Sequence, residues 1–193
     1  AYMFRRRSGE RLFDQAPVEA DLVCPVPDSG TPSAIGFAQR SGIPFAAGLV
    51  RNRYMGRTFI KSDQKERELS VRLKLNPQKS VLKDKRIVLV DDSIVRGTTS
   101  AKLIQRIRKA GAREVHLRVT SPPVTNPCYY GVDTPDKSKL IAANLSKEEI
   151  NKKIGADSLE FLSIDNLMEL VNNPCDYCKA CFTGDYPIKR ESK

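Results

Sequence analysis

The stretch richest in chemical groups is VLVDDSIVRGTTS, residues 88–100. An apolar run stops at two carboxylates, Asp91 and Asp92. A loop of Ser93, Ile94, Val95, Arg96 and Gly97 then leads into the hydroxyls of Thr98, Thr99 and Ser100. If the run is a buried strand and a helix follows, the backbone N–H groups of Ile94 to Thr99 are free at the helix start, where the macrodipole is positive. Gly97 permits a close backbone approach, and the hydroxyls add donors. That is a cradle for a phosphate. Carboxylates beside a phosphate repel it, so they need partners of another kind. Sugar hydroxyls can donate to Asp91 and Asp92, and a hard cation such as Mg²⁺ offsets the remaining charge. A ligand with a phosphate, a vicinal diol and a metal-bound diphosphate meets all of these groups. A plain strand–turn–helix with an acidic cap is the simpler alternative. The full pattern at this spacing argues against it.

The second chemical cluster is Cys175-x-x-Cys178-x-x-Cys181. Thiolates this dense suit Zn²⁺ or an iron–sulfur cluster, and local sequence does not choose between them. The chain has five Cys, and the odd count with three closely packed argues against a secreted disulfide scaffold. It points to the cytosol and to a metal or cluster. Cys24, inside an apolar run, reads as a small core residue. His116 is the one histidine; it sits mid-strand in EVHLRV and reads as structural, so no general acid or base is assigned.

The elements that must position these groups alternate. Residues 1–16 read as a helix, 21–26 (DLVCPV) as a buried strand, and 31–40 as a helix with Thr31 as N-cap and Pro32 at the first helical position. A strand is expected at 45–50, a basic irregular stretch at 51–60 and a helix at 62–75. Residues 86–91 read as a strand, about 99–110 as a helix ending at Gly111, and 114–121 as a strand. A Pro-rich loop covers 122–135. Ser146 and Glu149 form a capping box that opens a short helix. A last strand is expected at 159–164, a last helix at 165–171, and a Cys-rich tail from Asn172. Strands separated by helices imply βαβ units, a parallel sheet and an α/β fold.

Bulk properties bound the rest. A chain of 193 residues suits one domain plus an extension. No apolar run approaches the roughly 20 residues that cross a bilayer, and no signal peptide is evident. The chain begins at Ala1 without an initiator Met and is expected to be a piece of something longer. Its net charge of +10 suits either nucleic acid or a highly phosphorylated small molecule. Aromatic residues are only 7% and Trp is absent, which disfavours an RNA-stacking surface. The run Arg5-Arg6-Arg7 reads as a solvated helix face.

Residues 88–100 resemble the phosphoribosyl-pyrophosphate (PRPP) loop of type I phosphoribosyltransferases. A longer resemblance, to glutamine PRPP amidotransferases, is carried by VPDSGTPSAIGFA (26–38), RNRYMGRTFI (51–60), SVRLKLNP (70–77), RVTSPPVTNPCYYG (118–131) and CFTGDYP (181–187). It implies a type I phosphoribosyltransferase fold over 1–171, a parallel sheet flanked by helices, and a Cys-rich tail at 172–193. The family's N-terminal glutaminase half is expected to be absent. The implied reaction joins PRPP and ammonia, which the full-length enzyme draws from glutamine, into 5-phosphoribosylamine and diphosphate, the first step of de novo purine biosynthesis.

The same resemblance implies Mg²⁺ at Ser29, Asp91 and Asp92, the 5-phosphate at Ser93 through Thr99, and the diphosphate beside the turn from Asp28 to Thr31. Residues from about 52 to 76 resemble a mobile lid carrying Arg53, Tyr54, Arg57, Lys61 and Arg72. A 4Fe-4S cluster would use Cys128, Cys178 and Cys181. Its fourth family ligand would lie upstream of Ala1, and Cys175 could fill in. Purine nucleotides are implied as inhibitors, and a cytoplasmic homo-oligomer without nucleic-acid or membrane partners is expected. The rival reading is a PRPP-sensing, purine-repressor-like DNA-binding regulator. The basic charge favours it; the lack of an evident helix-turn-helix and the CFTG tail oppose it. A salvage phosphoribosyltransferase acting on a purine base is a third reading, and it does not account for the Cys tail.

Overall fold

The computed structural model describes residues 1–51, 75–134 and 136–188. In chain order its helices and strands are α1 (Tyr2–Gln15), β1 (Leu22–Pro25), α2 (Thr31–Ser41), β2 (Leu49–Arg51), β3 (Leu75–Pro77), α3 (Lys79–Leu82), β4 (Arg86–Asp91), α4 (Thr98–Lys109), β5 (Glu114–Val119), α5 (Ile141–Asn144), α6 (Lys147–Ile154), β6 (Ser158–Phe161), α7 (Ile164–Met168) and α8 (Ala180–Thr183). Strands β1, β4, β5 and β6 lie side by side in that order, all parallel, with Cys24 opposite Leu89, Leu89 opposite Leu117, and Leu117 opposite Leu159. This is the α/β fold with a helix-flanked parallel sheet expected from the sequence.

Both faces of the sheet are covered, which is why its strands are apolar runs and not alternating ones. Cys24, Ile87, Leu89, Val115, Leu117 and Leu159 pack on one side against Leu103, Ile104 and Ile107 of α4 and Ile150 and Ile154 of α6. Val23, Val88 and Val90 pack on the other against Leu12 of α1, Ala34 and Phe37 of α2, and Leu167 of α7. Helices α1 and α2 touch at the backbone. A Cβ on Gly9 would collide with the Ser33 carbonyl, and one on Gly36 with the Arg6 carbonyl. The Phe13 ring meets Phe37 edge-on at 5.4 Å.

Several boundaries differ from the sequence expectation. Thr31 is the first residue of α2, and its N-cap is Gly30, with no side-chain cap bond; Pro32 is therefore second in the helix. The strand expected at 45–50 divides. Phe45 makes one parallel bridge to Val23, and Leu49–Arg51 turns away to pair antiparallel with Leu75–Pro77 in a separate ribbon. The helix expected at 62–75 lies outside the described residues except Leu75, which is a strand residue opposite Arg51. The capping box forms: Glu149 N–H donates to Ser146 Oγ at 3.2 Å, and Ser146 N–H to Glu149 Oε2 at 2.8 Å. No described helix is long and apolar enough to cross a membrane.

Candidate active site

A crevice of about 890 Å³ opens at the carboxyl ends of β1 and β4, where parallel α/β sheets bind ligands. Residues 91–100 and Val26 through Ser29 line it. Ile94 is the anchor of the first segment: its side chain is buried in the core, and the Ile141 N–H fixes the loop by donating to the Val95 carbonyl at 2.9 Å. Gly97 closes the loop in the left-handed region at φ 74° and is the N-cap of α4. Any side chain there would be strained, and its Cβ would stand 2.5 Å from Ile141 Cδ1.

This conformation leaves donors unused. Among the described residues, no backbone N–H from Ile94 through Thr99 donates a hydrogen bond, and no side chain caps α4. The residues that carry these N–H groups lead into the start of α4 and line the same crevice as Ser93, Thr98 and Thr99 with their hydroxyls.

The acid pair has the opposite character. Asp91 Oδ1 accepts from the Asp92 N–H at 2.8 Å, and Ser93 Oγ donates to Asp92 Oδ1 at 3.4 Å. Burial, and then the neighbouring Asp92 charge, push the Asp91 carboxyl up to about 7. A carboxyl held this way is ionised most readily when a partner brings positive charge or hydroxyl donors to the carboxylate, the proton leaving to solvent. Elsewhere in the crevice, Arg51 Nη1 donates to Asp28 Oδ2 at 2.7 Å, across an exposed pair. The Pro27–Asp28 peptide is cis.

The phosphoribosyl transferase domain family matches this chain over residues 6–155. The chain belongs to the phosphoribosyltransferase family. The chain is 55% identical over 188 residues to an amidophosphoribosyltransferase of Methanocaldococcus jannaschii, covering 97% of the chain and 40% of that relative. It is likewise 55% identical over 189 residues to amidophosphoribosyltransferase 1, chloroplastic, of Arabidopsis thaliana, covering 97% of the chain and 33% of that protein. Among solved structures, a glutamine PRPP amidotransferase from B. subtilis complexed with ADP and GMP superposes with a TM-score of 0.87 at 48% identity, covering 96% of the chain and 42% of that structure. A second, described as the allosteric regulatory enzyme of purine biosynthesis, gives 0.86 at 48% identity, covering 96% and 41%. The chain therefore spans about two fifths or less of the length of these relatives.

In this phosphoribosyltransferase the crevice brings together Ser29, Asp91, Asp92 and the loop from Ser93 through Thr99. Tyr54 and Arg57, with Arg53, Lys61 and Arg72, lie outside the described residues. The sequence reading missed three charged lining residues: Arg5, Arg51 and Asp133. Arg51 stands in a segment already marked as basic. Arg5 and Asp133 carry no local signal, because helix packing and a loop path bring them there. His116 stays away from the crevice, paired through Nδ1 with Ser158 Oγ at 2.9 Å and through Nε2 with Glu114 Oε2 at 3.0 Å.

Four of the five cysteines lie in the loop after β5 and in the C-terminal tail, while Cys24 is buried in β1. The N–H groups of Thr125 and Asn126 both donate to the Cys181 carbonyl at 3.0 Å, and the Tyr186 hydroxyl donates to the Pro127 carbonyl at 2.6 Å. The tail is thus tied to the loop that carries Cys128. Burial, then Cys128, and more weakly Cys178, push the Cys181 thiol above its usual range. Cys175 and Cys178 are exposed. Among the described residues, no three His, Cys, Asp or Glu side chains stand close enough together to hold a metal ion. As folded, these thiols share a neighbourhood without forming a closed ligand set.

Proposed function

We propose that this chain is the phosphoribosyl-transferring part of an amidophosphoribosyltransferase, and that it passes the phosphoribosyl group of PRPP to ammonia. One observation carries the reading: the crevice sets a run of unused backbone N–H groups beside a carboxylate pair. The cradle from Ser93 to Thr99 holds the 5-phosphate. Asp91 and Asp92 accept hydrogen bonds from the ribose hydroxyls. The turn at Asp28 and Ser29 faces the diphosphate end.

Asp91, Asp92 and Ser29 would hold Mg²⁺, which when bound neutralises the diphosphate leaving group. Ser29, Asp91 and Asp92 line the same crevice, and this ion commonly uses one or two carboxylates with substrate oxygens and water. Ammonia's lone pair forms the C1–N bond as the C1–O bond to diphosphate breaks, and the surplus proton of the new ammonium leaves to solvent. Ammonia is already a nucleophile, so the chain's contribution is positioning and electrostatics. That agrees with a lone histidine held outside the crevice.

Purine nucleotides are proposed as further ligands on the strength of the ADP- and GMP-complexed relative. A 4Fe-4S cluster on Cys128, Cys178 and Cys181, a cytoplasmic location and a homo-oligomer complete the proposal. The test is diphosphate release from PRPP with Mg²⁺ and ammonium. The wild-type chain is expected to release it, and Asp91→Asn to lose about a hundredfold or more in rate, as expected for removing an electrostatic partner of the reacting centre. A wild-type chain that neither binds PRPP nor releases diphosphate sinks the reading.

A further inference from the structure

The crevice has an arginine that no strand-end motif supplies. Arg5 lies on α1, yet its side chain reaches the crevice wall and donates from Nη1 to the Ser29 carbonyl at 3.5 Å. Its place is fixed from two sides. The backbone contact of α1 with α2 at Gly9 and Gly36 leaves no room for the helices to slide. The Ser33 hydroxyl, 1% exposed, donates to the Arg5 carbonyl at 2.9 Å. Arg5 is therefore presented at the start of α2, beside the Asp28–Ser29 turn.

The charges around that turn show what a cation does there. Asp91, Asp92 and Asp133 all line the crevice, and the guanidinium of Arg51 is engaged by Asp28. Among the described residues Arg5 has no carboxylate partner; its one recorded side-chain bond is long and goes to a neutral carbonyl. An anionic group entering at the turn meets repulsion from the carboxylates and finds in Arg5 a donor fork that can turn to it at little cost.

We propose that Arg5 is a binding residue that selects for a diphosphate on the sugar, as against a sugar bearing only the 5-phosphate. The inference rests on the PRPP reading above. The 5-phosphate lies in the Ser93–Thr99 cradle and the diphosphate beside the Asp28–Ser29 turn, so Arg5, which donates to the Ser29 carbonyl, acts on the C1 end of the ligand.

The experiment compares Mg²⁺-dependent binding of PRPP and of ribose 5-phosphate to wild type, Arg5→Gln and Arg5→Lys by calorimetric titration. Arg5→Gln keeps part of the aliphatic stem and removes the charge, while Arg5→Lys keeps a cation without the guanidinium fork. Arg5→Gln is expected to weaken PRPP about tenfold, the usual size of a lost charge-assisted hydrogen bond, and to leave ribose 5-phosphate within about twofold. Arg5→Lys is expected to recover part of the loss. Equal weakening of both ligands, or unchanged PRPP affinity in Arg5→Gln, overturns the assignment of Arg5 and leaves the PRPP reading standing. A wild-type chain that binds no PRPP removes both together.

Discussion

Asp21 and Asp91 are carboxylates of one chain pulled in opposite directions. At Asp21, the Arg86 side chain donates at 3.0 Å and the Arg86 backbone N–H at 2.8 Å, holding the carboxyl down to about 2. Because the folded value lies below the unfolded one, the contact stabilises the fold fully above the ordinary carboxylate range. Its contribution drains away as pH falls from about 4 to about 2. Asp21→Asn is thus expected to be less stable than wild type at neutral pH, with the gap closing across that window in urea titrations. A gap unchanged at the acid end would refute the pairing. Asp91, pushed up to about 7, has the reverse sign: the unliganded fold favours its protonated form, and that preference is lost as pH rises from the ordinary carboxylate range through about 7. The pair Asp91-Asp92 was legible in the sequence because its neighbours in space are also its neighbours in the chain. Arg5 was not. Read alone, the run from Arg5 to Arg7 is a solvated helix face; the packing of α1 on α2, through the glycine contacts and the Ser33 hydroxyl, brings Arg5 to Ser29.

At the scale of elements, the strand–loop–helix from β4 to α4 carries the site, and its hinge is Gly97. The strand was readable in full, since its apolar run is bounded by Arg86 and by the acids. The helix start was read one residue late because Gly97, in the left-handed region, already serves as N-cap. Gly97→Ala should cost about 1–2 kcal/mol from the left-handed backbone alone. It should cost more from the contact of the new Cβ with Ile141. Displacing Ile141 also loosens its N–H bond to Val95, so the N–H cradle should blur and PRPP affinity fall with stability. Urea midpoints and PRPP titration on the same variant check both; wild-type values in both would show that the loop does not need glycine. The segment at 45–50 was misread for a reason of the same scale. Its apolar pattern announces pairing but not the partner, and β2 finds β3 more than twenty residues along the chain.

For the whole molecule, the question is what ties the tail to the sheet domain. The core closes on both faces of β1, β4, β5 and β6, with Phe182 only packed against its margin. The tail is held instead by hydrogen bonds with the loop that bears Cys128: Thr125 and Asn126 of that loop donate to the tail, and Tyr186 of the tail donates back to the Pro127 carbonyl. These bonds bring Cys128 into the electrostatic neighbourhood of Cys181 before any metal is considered. A cluster bound there would cross-link two surface segments and not the core. Cys128→Ser should therefore lose most of the iron taken up on anaerobic reconstitution with iron and sulfide. Its urea midpoint, set by the sheet core, should stay close to that of the metal-free wild type. The tail should become more sensitive to protease in the wild type when iron is stripped. Iron retained by Cys128→Ser at the wild-type level would take Cys128 out of the ligand set. A wild-type chain that takes up none would leave the tail held by its hydrogen bonds to the Cys128 loop, the Tyr186 ring contacts and the packing of Phe182.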